Sequence, residues 1–346
     1  MDKLEVMSNR LSIHSKRSWQ RPELRLETLR NNMNKLFFLL AAGAMCLAAC
    51  AQKKGGEHPP RQGGHMEINK DADSVFVALK QETLGKFKQL TFLDQPTGKT
   101  MEYNLLVPQA PHTAQQLPLV LFMADASTVG KEVTAPLTQG YGALLFASDR
   151  DQQLHPSFVL VPQYTDWAVQ DDWSTTEEVE MTIRLLEAVC KEYNVDTNRL
   201  YTTGQSMGGM MSFYFNITHP DLFAASLFVS SQWDTSKMQD FGKKNFFYIV
   251  AGGDQKAYDG MQDLTKVLEE NDARIESASW SAKLSSQDQE RLAEQLIARG
   301  SNINFILWET GSVLPESGKG MEHMASFDYG YKIAAVRDWL YKQSKQ

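Results

Sequence analysis

The chain has 346 residues, of which 42% are hydrophobic and 22% charged, and its formal net charge is −7. Residues 1–49 hold eight Lys/Arg and four Asp/Glu, so without them the net charge falls from −7 to −11. A chain this acidic argues against a nucleic-acid partner.

The N-terminal region carries the pattern of a signal peptide that ends at a cysteine. Asn34-Lys35 precedes an apolar stretch at 36–49, which has signal-peptide length and is too short for a comfortable membrane span. Leu47-Ala48-Ala49-Cys50 resembles the lipobox of bacterial lipoproteins, in which the cysteine is lipidated and becomes the mature N-terminus. We therefore expect residues 1–49 to be a leader with a lipoprotein signal peptide, and residues 1–32 to be an extended leader or a misassigned start. The alternative is an ordinary secretory signal with a chance cysteine.

The lipobox interpretation also predicts the cellular location of the protein. Cys50 would anchor the chain in the membrane of a bacterial cell envelope, on the periplasmic or outer surface. Residues 50–67 are rich in Lys, Gly, Pro and Gln without apolar periodicity and predict a flexible tether. Residues 68–346 are expected to form one domain. Only Cys190 would then remain as a free thiol, so no intrachain disulfide is expected.

Apolar runs along this domain predict the strands of a sheet. Runs at 87–93 and 101–107 flank Gln95-Pro96-Thr97-Gly98-Lys99 and predict a hairpin. Continuous apolar runs are typical of strands buried on both faces of a parallel sheet. They lie at 117–123 and 158–161. Further strands are predicted at 198–203, which is rich in β-branched and aromatic residues, and at 223–230, 245–251 and 303–308.

Helical patterns alternate with these strands. A capping-box pattern at Ser174-Thr175-Thr176-Glu177 opens the first of them, which carries Cys190 on its apolar side. The others are predicted at 207–218, 258–270, 286–300 and 326–343. The alternation predicts an α/β fold with a mostly parallel central sheet and helices on both faces.

Gly204-Gln205-Ser206-Met207-Gly208 lies between a predicted strand and a predicted helix. Small residues at both ends of this pentapeptide permit a sharp turn that exposes the serine hydroxyl, as in a nucleophile elbow. Ser206 would lie at the N-terminus of the helix, where the helix dipole favours developing negative charge. The alternative is a chance glycine-rich turn.

Chain order selects the partners of Ser206, because in this arrangement the acid follows the serine and the histidine follows the acid. His323 is the histidine that lies late enough, in a loop before the final helix. Asp254 directly follows a predicted buried strand, where its carboxylate can orient the histidine. Asp259 and Asp263 remain alternatives for the acid.

The oxyanion hole is expected to combine two backbone N–H groups. One comes from Met207, and the other comes from the loop after the strand at 117–123, either from Ala124 or from Asp125. An ionised Asp125 pointing inward would oppose an oxyanion, so its carboxylate is expected to point away.

Aromatic and polar residues near the carboxyl ends of the strands are candidates for substrate binding. They are Trp167, Trp173, Gln205 and Trp233, although packing in the core is the more frequent role of tryptophan. The glycine-rich pentapeptide lacks the lysine of a phosphate-binding loop, and no cluster of metal-ligating residues stands out. Neither a metal nor another cofactor is expected.

The segment Asp196 to Trp233 resembles secreted α/β-hydrolase esterases. The most similar groups are the polyhydroxybutyrate depolymerase-like proteins and the feruloyl or acetylxylan esterases of carbohydrate esterase family one. The resemblance implies a serine carboxylic-ester hydrolase with Ser206 as nucleophile, Asp254 as acid and His323 as base, acting on a small-molecule or glycan ester. Two alternatives remain: a serine peptidase of the prolyl-oligopeptidase kind, and a surface glycan-binding lipoprotein that keeps the fold without catalysis.

Overall fold

The computed structural model describes residue 70, residues 72–109 and residues 116–345. The predicted leader, the lipidation site Cys50 and the tether lie outside the described residues. Within the described ranges, no helix combines the length and the apolar character needed to cross a bilayer.

A nine-stranded sheet forms the centre of the fold, with the strand order β1-β2-β4-β3-β5-β6-β7-β9-β8. The strands are β1 Phe87–Asp94, β2 Lys99–Leu106, β3 Leu117–Met123, β4 Phe158–Pro162, β5 Val195–Gln205, β6 Ala225–Val229, β7 Phe246–Ala251, β8 Ile275–Trp280 and β9 Ile303–Trp308. Strand β2 pairs antiparallel with β1 and with β4, and every other pairing is parallel. The predicted mostly parallel sheet is thus confirmed.

Helices cover both faces of this sheet, as predicted. They are α1 Ser74–Thr83, α2 Ala135–Thr138, α3 Tyr141–Phe146, α4 Asp149–Leu154, α5 Glu177–Glu192, α6 Met207–Thr218, α7 Gln255–Glu270, α8 Ser286–Ile297, α9 Glu322–Lys332 and α10 Ala334–Tyr341. Apolar residues of α5, α6 and α7 pack in the hydrophobic core on one face. Those of α1, α3, α8, α9 and α10 pack in the core on the other face.

Two predicted features of the helices were wrong in detail. The expected single helix at 326–343 is broken at Ile333, whose backbone is extended. The carboxylate of Glu290 accepts hydrogen bonds from the N–H groups of Ala334 and Ala335, which stabilises a new helix start there. The expected capping box is absent from the start of α5, because Ser174 hydrogen-bonds to Asp172 instead and Thr176 makes no side-chain cap.

Candidate active site

The turn between β5 and α6 holds Ser206 in a strained conformation. Its backbone has φ 50° and ψ −119°, a combination that L-residues rarely adopt. The flanking glycines make the turn possible, because a Cβ on Gly204 would overlap the backbone of Gly208, and one on Gly208 would overlap the carbonyl of Met123. Backbone segments therefore pass each other here at distances that only glycine permits.

Ser206, His323 and Asp254 form a continuous hydrogen-bonded relay. Ser206 Oγ lies 2.9 Å from His323 Nε2, and His323 Nδ1 lies 2.7 Å from Asp254 Oδ2. In the tautomer with hydrogen on Nδ1, the ring donates to the carboxylate while Nε2 accepts from the serine hydroxyl. The two alternative acids lie on α7 with other partners, Asp259 with Gln255 and Asp263 with Lys266.

The sheet topology brings these three residues together. Ser206 follows β5, Asp254 follows β7 and His323 is the second residue of α9, after β9. These strands are parallel within the same sheet. Because parallel strands end at the same edge of a sheet, residues 48 and 69 positions apart along the chain meet there. Asp254 is 5% exposed, and its other carboxylate oxygen accepts from Ala257 N–H at the start of α7.

The candidate oxyanion donors adjoin the serine. Met207 is the first residue of α6, and the N–H groups in the first turn of a helix have no partner inside the helix. Asp125 lines the cavity beside Ser206 and Met207, whereas Ala124 is fully buried and does not line it. This placement favours the N–H of Asp125 over that of Ala124 as the second donor.

The carboxylate of Asp125 is engaged by three donors. Asp125 Oδ1 accepts from the N–H of Ser127 at 2.7 Å, and Oδ2 accepts from the side-chain amides of Gln205, at 3.2 Å, and Gln139. These hydrogen bonds satisfy a buried negative charge close to the expected oxyanion. Gln205 is 2% exposed and uses its amide for this contact. Gln205, a predicted substrate-binding residue, does not line the cavity, and its side chain supports Asp125.

A cavity of about 270 Å³ opens at Ser206 and His323. Its apolar walls come from the loops after β3 and β4, from α6 and from the segment around His323. The apolar residues are Ala126, Trp167, Val169, Met207, Met210, Met321 and Met324, and polar groups are contributed by Ser127 and Gln232. Met210 and the two later methionines could have been found from the sequence, because they lie within four residues of Ser206 or His323.

The predicted tryptophans divide into two groups. Trp167 lines the cavity. Trp173 and Trp233 do not, and their rings pack against each other with centroids 5.4 Å apart. Trp233, which was expected to contact substrate, is 6% exposed and also packs edge-on against Tyr214. Its position in the structure is that of a packing residue.

Every charged side chain in the described lining of the cavity has a partner. Lys256 Nζ and Asp171 form an exposed ion pair of 2.7 Å at the rim, Asp254 bonds to His323, and Asp125 has the three donors described above. The cavity therefore presents no unpaired charge from these residues.

Beneath the site, Tyr248 supports the segments that carry Gln232 and α7. Its hydroxyl lies within hydrogen-bond distance of the carbonyl groups of Ser231 and Ala257. Burial raises the pKa of Tyr248 well above its ordinary value, so the phenol stays neutral and acts as a hydrogen-bond donor.

The chain is similar in sequence to one protein family and in structure to several solved hydrolases. The model of the prolyl oligopeptidase family matches residues 166–300, which is less than half of the chain. A thermostable esterase of known structure has a TM-score of 0.62 and 24% identity, over 76% of this chain and 64% of that one. The chain thus spans less than two thirds of that esterase. No curated protein sequence matches the chain.

Two further structures match with TM-scores below 0.5. S-formylglutathione hydrolase from Staphylococcus aureus has a TM-score of 0.43 and 16% identity, over 74% of this chain and 98% of that one. A ferulic acid esterase has a TM-score of 0.49 and 12% identity, over 73% and 98% of the two chains. The thermostable esterase and the mostly parallel sheet confirm the predicted α/β-hydrolase fold. Ser206, His323 and Asp254 have the hydrogen-bond geometry of a Ser-His-Asp triad.

Proposed function

We propose that the protein is a serine carboxylic-ester hydrolase that acts through an acyl-enzyme on acyl or feruloyl esters of glycans, or on similar extracellular esters. The observation that carries the proposal is the relay from Asp254 through His323 to Ser206, with separations of 2.7 and 2.9 Å, which opens into a largely apolar cavity. A serine hydroxyl needs such a base to become a nucleophile at neutral pH.

In the proposed reaction, Ser206 Oγ attacks the ester carbonyl carbon while His323 Nε2 takes its proton. The carbonyl oxygen becomes an oxyanion, which the N–H groups of Met207 and Asp125 or Ala124 stabilise. The imidazolium, oriented by Asp254, then gives its proton to the departing alkoxide as the carbon–oxygen bond breaks. Water, deprotonated by His323, attacks the acyl-enzyme and releases the carboxylic acid with Ser206 restored.

The residues that line the cavity support the proposal that the substrate is a neutral ester. Capture of a peptide terminus generally uses charge or a backbone nest, whereas each charged lining residue in the described part of the chain has a partner. The apolar surface of Trp167, Val169 and Met210 suits an acyl or aryl group.

A serine peptidase is the second candidate, and the match of residues 166–300 to the prolyl oligopeptidase family favours it. The same triad would serve, since His323 would protonate an amine instead of an alkoxide. The two candidates differ only in the leaving group and in how the rest of the substrate is held.

Labelling and turnover separate the candidates. Purified protein would be treated with a fluorophosphonate probe and assayed on p-nitrophenyl acetate and butyrate, methyl ferulate and peptide p-nitroanilides. Ser206→Ala removes the nucleophile, and Ser236→Ala is the matched control because Ser236 is an exposed serine outside the cavity lining.

We expect the wild type and Ser236→Ala to label and to hydrolyse esters, and Ser206→Ala to do neither. Peptide cleavage that exceeds ester cleavage would favour the peptidase. A wild type that neither labels nor turns over any substrate would leave the non-catalytic glycan-binding protein as the remaining candidate.

We also propose that Cys50 carries a lipid that anchors the protein in a bacterial cell envelope. The support is the sequence Leu47-Ala48-Ala49-Cys50 after an apolar stretch. Metabolic labelling with an alkynyl fatty acid is expected to mark the wild type and Cys46→Ser, and not Cys50→Ser. Label retained by Cys50→Ser would contradict this proposal.

A further inference from the structure

The carboxylate of Glu322 joins two loops at the edge of the active site. Glu322 Oε2 accepts a hydrogen bond from Gly253 N–H at 3.1 Å, and Oε1 accepts one from Gly311 N–H at 2.8 Å. Gly253 immediately precedes Asp254, and Glu322 immediately precedes His323. One side chain thus connects the two segments that carry the acid and the base.

The glycine at position 253 leaves room for this carboxylate. A Cβ there would overlap the carboxylate of Glu322. The backbone of Gly253 does not adopt a positive φ, so its conformation alone does not require glycine. A residue with a Cβ at position 253 would therefore displace the Glu322 carboxylate and break its hydrogen bond to the backbone of residue 253.

His323 has a second anchor on its other side. Ser326 Oγ donates to the carbonyl oxygen of His323 at 2.8 Å, and it lies 2.5 Å from Ser230 Oγ at the end of β6. This anchor holds the first turn of α9 against the sheet. The chain that enters α9 is a long connection from β9 with exposed residues at 315–321, so Glu322 fixes the entering side.

We propose that Glu322 is a positioning residue, which holds the loop of Asp254 and the imidazole of His323 at the distances that the hydrogen bonds to each other and to Ser206 require. This inference rests on the proposed hydrolase function. Glu322 does not line the cavity, so it acts through its neighbours and not on the substrate. Hydrogen bonds from backbone N–H groups to a carboxylate are among the stronger ones in proteins. The two that Glu322 accepts therefore fix its carboxylate relative to Gly253 and Gly311.

The test compares Glu322→Ala and Glu322→Gln with a matched control. Glu290 also accepts two backbone N–H bonds, from Ala334 at 2.7 Å and Ala335 at 2.9 Å, and it lies outside the cavity lining. Glu290→Ala therefore removes the same number of carboxylate–backbone bonds elsewhere in the fold. Any effect of Glu322→Ala on catalysis beyond that of Glu290→Ala reflects its position.

We expect Glu322→Ala to lower kcat for ester hydrolysis about 10- to 100-fold, with KM changed less than about 3-fold, because small displacements of catalytic groups have effects of this size. Glu322→Gln keeps one acceptor oxygen and should recover part of the loss. Glu290→Ala should lower thermal stability and leave kcat within about 2-fold. Equal kcat values in Glu322→Ala and wild type would overturn the proposal, as would a change in KM alone.

A second readout does not depend on turnover. The ¹⁵N chemical shifts of the His323 ring report its tautomer, which the Asp254 carboxylate fixes. A single Nδ1–H tautomer is expected in the wild type and in Glu290→Ala, and a mixture in Glu322→Ala. An unchanged tautomer in Glu322→Ala refutes the positioning role even if the wild type hydrolyses no ester. Absence of activity in the wild type would refute the hydrolase proposal alone.

Discussion

Replacement of Gly208 by alanine tests whether the close packing of α6 against β3 sets the oxyanion geometry. A Cβ at residue 208 would lie 2.0 Å from the carbonyl oxygen of Met123 and 2.8 Å from that of Ala124. Both oxygens belong to backbone, so neither can move away by a side-chain rotation. The added methyl group must therefore separate the nucleophile turn from the loop that is proposed to supply the second oxyanion donor.

The size of the effect follows from these distances. Real Cβ atoms essentially never approach another heavy atom closer than 3.0 Å, so the separation must grow by at least about 1 Å. A displacement of about 1 Å in an active site costs about 100-fold in rate, or about 2.7 kcal/mol of transition-state stabilisation. Overpacking of this kind also lowers the free energy of unfolding by about 1–3 kcal/mol.

The assay measures kcat for p-nitrophenyl butyrate and the free energy of unfolding in urea for wild type and Gly208→Ala. Gly85→Ala is the control, because a Cβ on Gly85 would meet nothing within 4 Å. We expect the control to match the wild type in both measurements. If folded Gly208→Ala keeps kcat within about 3-fold of wild type, the reasoning that links this contact to oxyanion binding is wrong.

Three further predictions concern stability and reactivity. Ser206→Gly should be more stable to urea than Ser206→Ala by about 1 kcal/mol, because only glycine relieves the backbone at φ 50° and ψ −119°; equal stability would contradict the strain. The hydrogen bonds from Arg184 hold the pKa of the buried Asp94 carboxyl below its ordinary value, so the pair stabilises the fold at neutral pH, and this contribution is lost as the pH falls through that lowered pKa. Asp94→Asn should therefore lower the free energy of unfolding by about 3 kcal/mol at pH 7, and its difference from the wild type should shrink below about pH 4. Asp240→Asn, which removes an exposed ion pair, should change the free energy of unfolding little. Burial raises the pKa of the Cys190 thiol to about 11, so iodoacetamide at pH 8 should modify it far more slowly in the native than in the unfolded protein. Mass spectrometry measures the extent of modification, and similar rates in the two states would show that the thiol is accessible.

The sequence predicted much of the sheet because its strands are marked by local patterns. The run at 117–123 is continuously apolar, the run at 303–308 is apolar except for Asn304, and the structure has strands with these same bounds. Strand β8, Ile275–Trp280, was missed because it lies at the edge of the sheet, and the polar residues Glu276, Ser277 and Ser279 leave neither an apolar run nor a regular alternation in its sequence. The break at Ile333 was also missed, because it depends on the carboxylate of Glu290 from another helix.

The nucleophile turn and the order of serine, acid and histidine could be predicted from the sequence alone, because the strand, the turn and the helix around Ser206 are contiguous and few histidines follow it. Tertiary structure decided which groups around the relay contact each other. Gln205 turns towards Asp125, Trp233 packs against Trp173, and Glu322 reaches Gly253 across 69 residues of chain. Contacts of this kind depend on where loops from different parallel strands meet, and a local pattern carries no information on that distance.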